Sequence, residues 1–251
     1  MATDEIPAIL RRAADAVADA LDRFGGSGLS GQRHDQYALD LVADEAACGV
    51  LRSEGLSIFS EESGHTAGSE LVAVVDPVDG STNCDRGIPF YCVSICVVDH
   101  DGPLASLVQN LAVGTRYEAR RGIGATRDGK PITVSGATDP SRSIVGVNGI
   151  LGARPGWAQV RTMGAAALEC CLVAEGALDA YVQAPGAAIH PWDYLAGMQI
   201  AEEAGATVRS ADGQELVILE ATPRRPLVAS SELLADALLG QLGQFQNDGP
   251  T

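Results

Sequence analysis

The 251-residue chain is 46% hydrophobic and 20% charged, enough to build a sizeable core, and with 4% aromatic residues that core is one of small aliphatic side chains. Its net charge of −16 argues against a nucleic-acid partner, whose phosphate backbone demands a basic surface. No apolar run approaches the about 20 residues that cross a bilayer, which argues against a membrane partner.

In chain order, residues 5–24 carry helical spacing (Ile6, Ile9, Leu10, Ala13, Val17, Leu21) that ends at a Gly-Gly-Ser-Gly stop, and residues 35–54 repeat it. LSIF (56–59) predicts a short strand running into Ser60-Glu61-Glu62-Ser63, and LVAVV (71–75) a buried strand. Asp76-Pro77-Val78-Asp79-Gly80 has turn chemistry, with Asp and Pro at its first corners and Gly at its close, and predicts a β-turn. Strands follow over 90–98 and 104–111, then a meander over 117–120, 125–127 and 132–134 with turns at Arg121-Gly122 and Asp128-Gly129. Beyond about residue 140 the order becomes mixed. SIVGVNG, LDAYVQ, ATVRS, ELVILEA and PLVAS predict strands, and AAALECCLVAEG, DYLAGMQIAEEAG and SELLADALLGQL predict helices. We therefore expect one domain over 1–251, with an α+β half to about residue 140 and an α/β half from about 141 to 245.

Six cysteines form no C-x-x-C pair and four histidines complete no zinc pattern, so the thiols are expected reduced and mostly buried. The acidic, amphipathic N-terminus lacks the features of a signal peptide, and the expected location is cytoplasmic.

Chemistry is expected at four element ends. Glu61 follows one strand, Asp76 ends another, Asp79 lies across the proline-bearing corner, and Asp193 opens a helix. Each has a plain alternative as a solvated loop charge, a turn residue or a helix cap. Together they offer the several oxygen ligands that a hard divalent cation takes, with the Val78 carbonyl as a neutral ligand between the aspartates. Gly80-Ser81-Thr82-Asn83 could open a helix or turn whose N–H groups face an anion. Carboxylates for metal beside amides for phosphate suit phosphoryl hydrolysis, and bound cations would offset the negative charge.

DPVDGSTN resembles the DP-[IV]-D-G-[TS] signature of the inositol monophosphatase superfamily, the lithium-sensitive, magnesium-dependent phosphatases. SEESG, GIGATRDGKPITVS, VRTMGAAALECCLVAEGALDAYV and HPWDYLAGMQIAEEAGATV are similar to further motifs of that family, in the same order. The resemblance implies a layered α-β-α-β-α fold, a homodimer, two or three Mg²⁺ ions and inhibition by lithium. It implies that Glu61, Asp76 and the Val78 carbonyl hold one metal, that Asp76, Asp79 and Asp193 hold a second, and that Glu61 helps with a third. Asp40 and Ser81 would orient and deprotonate the attacking water. The Gly80 and Ser81 amides would hold phosphate, and Gly164, Ala165, Ala166 and Asp193 would contact substrate hydroxyls, with Gln183 the nearest polar candidate for a further contact. The implied reaction is in-line displacement without a phosphoenzyme.

Four departures fall near the entrance and the substrate region. HDQYALD (34–40) is shorter than its family counterpart, Ser60 replaces a Gly, Ala165 replaces a Ser or Thr, and the VQAPGAAIHP segment is longer. The expected substrate is an inositol monophosphate or related cyclitol or sugar phosphate. The alternatives within the family are fructose 1,6-bisphosphate, histidinol phosphate and a phosphonucleotide. A non-catalytic metal- or phosphate-binding homologue is the alternative from another class. The spacing D-x-x-D argues against the D-x-D phosphatases that form an aspartyl-phosphate, and Gly122-Ile123-Gly124 lacks the third glycine of a dinucleotide loop.

Overall fold

A computed structural model describes residues 3–33, 36–66, 68–152 and 155–247. His34 and Asp35, part of the departing 34–40 segment, lie outside the described residues.

Two amphipathic helices open the chain, α1 (Ile6–Phe24) and α2 (Ala38–Ser53). Their apolar stripes, Ile6, Leu10, Ala13 and Val17 on one and Leu39, Ala43, Ala47 and Leu51 on the other, are buried against a large sheet. That sheet is built from β1 (Ser57–Ser60), β2 (Gly64–Thr66) and β3 (Val72–Asp79), which leads into the short α3 (Ser81–Arg86). It continues through β4 (Cys92–Asp99), β5 (Gly102–Asn110), β6 (Arg116–Arg120), β7 (Gly124–Arg127) and β8 (Lys130–Pro131). The strand order is β2-β1-β3-β4-β5-β6-β7-β8, with β1 and β3 parallel and the other pairs antiparallel. Both faces of β4 are covered, so its residues divide by alternation. Val93, Ile95 and Val97 face α1 and α2, while Cys92, Cys96 and Val98 join the opposite core.

That opposite core surrounds α4 and α5. The second half runs through β9 (Ile144–Asn148), β10 (Gln159–Arg161), α4 (Ala166–Ala174), β11 (Ala180–Gln183), α5 (Pro191–Glu203), β12 (Thr207–Ser210), β13 (Pro226–Ala229) and α6 (Glu232–Asn247). Its five strands form a sheet in the order β10-β9-β11-β13-β12. α4 and α5 lie between the sheets and are buried nearly all round, which explains why neither shows a single apolar stripe. They pack closely at Gly197, where a Cβ would stand 2.6 Å from the Ala167 carbonyl oxygen. Leu234, Leu238 and Leu242 of α6 cover the outer face of the second sheet. The layers are therefore helix, sheet, helix, sheet, helix. No helix among the described residues is long and apolar enough to cross a membrane.

Three local expectations are corrected. ELVILEA is not a strand: Leu216, Val217 and Leu219 pack against the central core, but the segment joins no ladder. The last meander strand is Lys130–Pro131 rather than 132–134, whose Val134 N–H is diverted to the Ala204 carbonyl at the end of α5. Asp76–Gly80 is not a β-turn, because β3 continues through Asp79 with a bulge. The six cysteines are free, and Cys84 alone among them is only half-buried.

Candidate active site

The bulge brings the two aspartates of DPVD to one side. Asp76 pairs with Ser94 and Asp79 with Cys92, so three steps along β3 span two along β4. In a regular strand, residues three apart face opposite ways, and one inserted residue resets the alternation. Pro77 is tolerated at the irregularity because a bulge leaves a backbone N–H unpaired. The Val78 N–H donates to Asp76 Oδ1 (3.0 Å), and the Ser81 hydroxyl donates to the Val78 carbonyl (2.9 Å).

Two further carboxylates are delivered to Asp76 from remote segments. β1 runs parallel to β3 with Ser60 opposite Val75, and the Glu61 N–H donates to the Val75 carbonyl (3.1 Å), which sets Glu61 beside Asp76. Ser94, opposite Asp76, donates to the Trp192 carbonyl (3.2 Å) and anchors the first turn of α5, where Asp193 sits. Glu61, Asp76 and Asp193 thus present oxygens all within 4.8 Å of one another. This trio draws from both expected metal sets. Asp79 is turned toward α4, accepting from the Ala167 N–H at 2.7 Å, and so ties the first sheet to the first turn of a helix in the second half.

Asp40 and Asp193 share one local design. Each is the third residue of its helix and reaches back to the preceding backbone, Asp40 Oδ2 to the Tyr37 N–H (2.9 Å) and Asp193 Oδ2 to the His190 N–H (2.7 Å). The cap reading of Asp193 and its place in the cluster are therefore both true. Asp40 is buried, and its Oδ1 finds no hydrogen-bond partner among the described residues. Asp40, Ser81, Glu61, His190 and Trp192 line a cavity of about 440 Å³. His190 stacks on Trp192 (4.8 Å between rings), and Trp192 meets Phe59 edge-on at 5.3 Å, so both residues pack the wall of that cavity.

Packing gives Glu61 and its neighbour Glu62 different partners. Glu62 is taken by Arg33 and Gln36, which leaves Glu61 for the cluster. The loop is pinned from beneath by Asp44, which sequence reasoning missed. One turn after Asp40 on α2, its Oδ1 accepts from the Ser60 and Ser63 hydroxyls and from the Cys48 thiol. Ser60, the residue standing in place of a glycine, makes this contact.

On the other side of the carboxylates, a cavity of about 220 Å³ is lined by Asp79, Asp193, Gly164, Ala165 and Ala166, with Asn148, Thr162, Tyr181 and Glu169 among its other walls. Gly80 has φ +88°, and a Cβ there would lie 3.0 Å from the Gly164 carbonyl oxygen and 3.1 Å from that of Phe90. Asn83 Nδ2 donates to the Met163 and Phe90 carbonyls, both at 2.8 Å, and fixes the Gly164 loop against α3. Gln183 is fully buried and meets the cavity through Asn148, whose Nδ2 donates to its Oε1 (2.7 Å). Sequence alone does not single out Glu169 or Asn148, although Glu169 lies within the VRTMGAAALECC motif, and it points to Asn83 only as part of the Gly80–Asn83 stretch.

The electrostatics of the cluster follow from burial. It pushes the Glu61 carboxyl up to about 8 and Asp193 to about 7, reinforced in each by the neighbouring carboxylates. Asp79 is also pushed up to about 7 by burial, against the Ala167 and Ala166 N–H groups. Asp76 is raised well above the carboxylate range by burial and then by Glu61, Asp79 and Asp193. Burial pushes Asp40 up to about 6, opposed by the Ser81 hydroxyl and the Tyr37 N–H. A buried, all-oxygen set of crowded carboxylates with an unpartnered Asp40 oxygen beside it suits a hard divalent cation.

The sequence matches the family model for the inositol monophosphatase family over residues 8–246. It is 34% identical over 217 residues to a fructose-1,6-bisphosphatase/inositol-1-monophosphatase of Archaeoglobus fulgidus, covering 80% of this chain and 81% of that one. It is 32% identical over 223 residues to an inositol-1-monophosphatase of Mycobacterium bovis, covering 78% of this chain and 73% of the relative. The solved structure of an inositol monophosphatase from Anabaena superposes with a TM-score of 0.80 at 28% identity, covering 96% of both chains. With the fold, the ordered motifs and the buried carboxylates in one arrangement, the chain belongs to the inositol monophosphatase family and is a phosphoric monoester hydrolase.

Proposed function

We propose that this enzyme is a Mg²⁺-dependent phosphatase acting on a small phosphomonoester, inositol monophosphate or a related cyclitol or sugar phosphate, by direct attack of water. The observation that carries the reading is the convergence of Glu61, Asp76 and Asp193, with the Asp40–Ser81 cavity on one side and the Gly164–Ala166 cavity on the other. Glu61, Asp76, Asp193 and the neighbouring Asp79 and Val78 carbonyl would hold the ions. When bound, such ions neutralise phosphoryl oxygens, acidify water and stabilise the leaving alkoxide.

The chain's own groups divide the remaining work. Asp40 Oδ1 takes the proton of the attacking water, with Ser81 orienting it. A carboxyl near 6 is mostly ionised at neutral pH and basic enough to accept that proton. The Gly80 and Ser81 amides position the phosphate, while Gly164, Ala165, Ala166 and Gln183, the last through Asn148, shape the site for the leaving group. The same reading includes inhibition by lithium and a homodimer, as the family resemblance implies, and the cytoplasmic location expected from the acidic, amphipathic N-terminus. A second substrate, fructose 1,6-bisphosphate, is favoured by the name of the Archaeoglobus relative.

The test is phosphate release from a panel of inositol, sugar, histidinol and nucleotide phosphates with Mg²⁺, and with EDTA as control. Asp79→Asn keeps an acceptor for the Ala167 N–H and should retain the fold while losing at least about 100-fold in kcat/KM. Near wild-type turnover of this variant at saturating Mg²⁺ would remove Asp79 from the site. A wild-type protein that binds phosphate esters without releasing phosphate would be the non-catalytic homologue instead.

A further inference from the structure

Resting on the phosphatase reading, we infer that Glu169 recognises the leaving group, its free carboxyl oxygen accepting a hydrogen bond from a hydroxyl of a polyol ring.

Glu169 lies in AALECCLVA, the helix sandwiched between the sheets, and is 2% exposed. A carboxyl in such a place is costly unless its oxygens are satisfied. It is partly so. Burial pushes the carboxyl up to about 8, opposed by the Gly164 and Met163 N–H groups of the loop that carries the cavity wall. Its Oε1, itself buried, has no partner among the described residues, and the residue lines the cavity shared with Asp79 and Asp193. Room for the carboxyl comes from Gly146 on β9, where a Cβ would stand 2.9 Å from Oε1.

What can meet that oxygen is limited by the rest of the wall. A phosphate would face a carboxyl there, whereas the Asp79–Asp193 side of the cavity is where cations would receive it. The group left to approach Glu169 is the organic portion of the ester, and it must donate. Asn148 and Thr162, neutral and polar, line the same space and suit a ring bearing several hydroxyls better than a lone cation. An acceptor left unpaired in a buried site is regained when a substrate hydroxyl donates to it, and a substrate lacking that hydroxyl leaves it unpaired.

The experiment compares kcat/KM with Mg²⁺ for myo-inositol 1-phosphate and for cyclohexyl phosphate, the same ring without hydroxyls, in wild type, Glu169→Leu and Glu169→Gln. The readout is the ratio of the two values. Glu169→Leu should lower the preference for the inositol ester about 10- to 100-fold. Glu169→Gln, whose amide oxygen can still brace Met163 and Gly164, should lower it about 5-fold or more. Equal losses on both esters would make Glu169 a brace of the loop and overturn the inference while leaving the phosphatase reading intact. Should the leucine variant fail to fold, an unchanged ratio in Glu169→Gln overturns it alone. If wild type hydrolyses neither ester nor any other phosphate of the panel, both readings fall together.

Discussion

Stripped of divalent cations, this protein should lose stability as the pH rises from about 5.5 to 7.5, and Mg²⁺ should restore it. The buried carboxyls Asp40, Glu61, Asp79 and Asp193 titrate near 6, 8, 7 and 7 in the fold, against 3.8 for Asp and 4.5 for Glu in the open chain. Folded-state values raised in this way mean that the native protein holds more protons than the unfolded one across the window from about 4 to about 8. The stabilising contribution is complete below the open-chain values and is lost as the pH climbs through the folded ones. Each extra proton held by the native state costs about 1.4 kcal/mol of stability per pH unit, so even one held across two units costs about 2.7 kcal/mol. At about 2–4 °C per kcal/mol for a chain of 251 residues, the melting temperature in EDTA should fall by at least about 5–10 °C. A cation that binds only the folded carboxylates at 100 times its Kd returns about 2.7 kcal/mol. The assay is a thermal melt at pH 5.5, 6.5 and 7.5, with EDTA or with Mg²⁺ in excess. Asp193→Asn removes one raised carboxyl and should flatten the slope. A melting temperature in EDTA that is flat or rises over this range, with no response to Mg²⁺ at pH 7.5, would refute the reasoning.

Two substitutions test the scaffold around the carboxylates. Gly80→Ala forces a left-handed backbone onto a residue with a Cβ and presses it within 3.0–3.2 Å of Gly164, Phe90 and Ala165, so denaturant unfolding should show a loss of about 1–3 kcal/mol and the assay a loss of activity. Wild-type stability would mean that the two loops are free to move apart. Asp44→Ala leaves the Ser60 and Ser63 hydroxyls without their acceptor and loosens the Glu61 loop, so the Mg²⁺ concentration for half-maximal activity should rise about 10- to 100-fold. An unchanged Mg²⁺ dependence would separate Asp44 from the placement of Glu61.

Much of the architecture is legible in the sequence because its signals are local. The apolar stripes of Ile6–Phe24 and Ala38–Ser53, the buried runs of β3 and β4 and the stop at Gly176 beyond α4 follow from periods and stops that neighbouring residues define. The motif order from SEESG to HPWD carries the family in the same way, through residue types at spacings that survive without coordinates. Those spacings suffice to single out Asp40, Glu61, Asp76, Asp79 and Asp193, but not to say how they meet.

Only the tertiary structure decides that. DPVDG has the composition of a turn, and it becomes a bulge because β4 continues to pair on both sides of it, an interaction with residues 92 and 94 that no local rule contains. Glu61 and Glu62 are equivalent as letters, and they differ because Arg33 and Gln36 claim the second while β1 sets the first beside Asp76. ELVILEA has strand composition but finds no edge to join. Glu169 reads as one polar letter in an apolar helix until two layers close over it, leaving its Oε1 without a partner in a residue that lines a cavity. Periodicity determines which faces are buried. The meeting of groups far apart along the chain, and hence the site, is set by packing and by which polar atoms that packing leaves without partners.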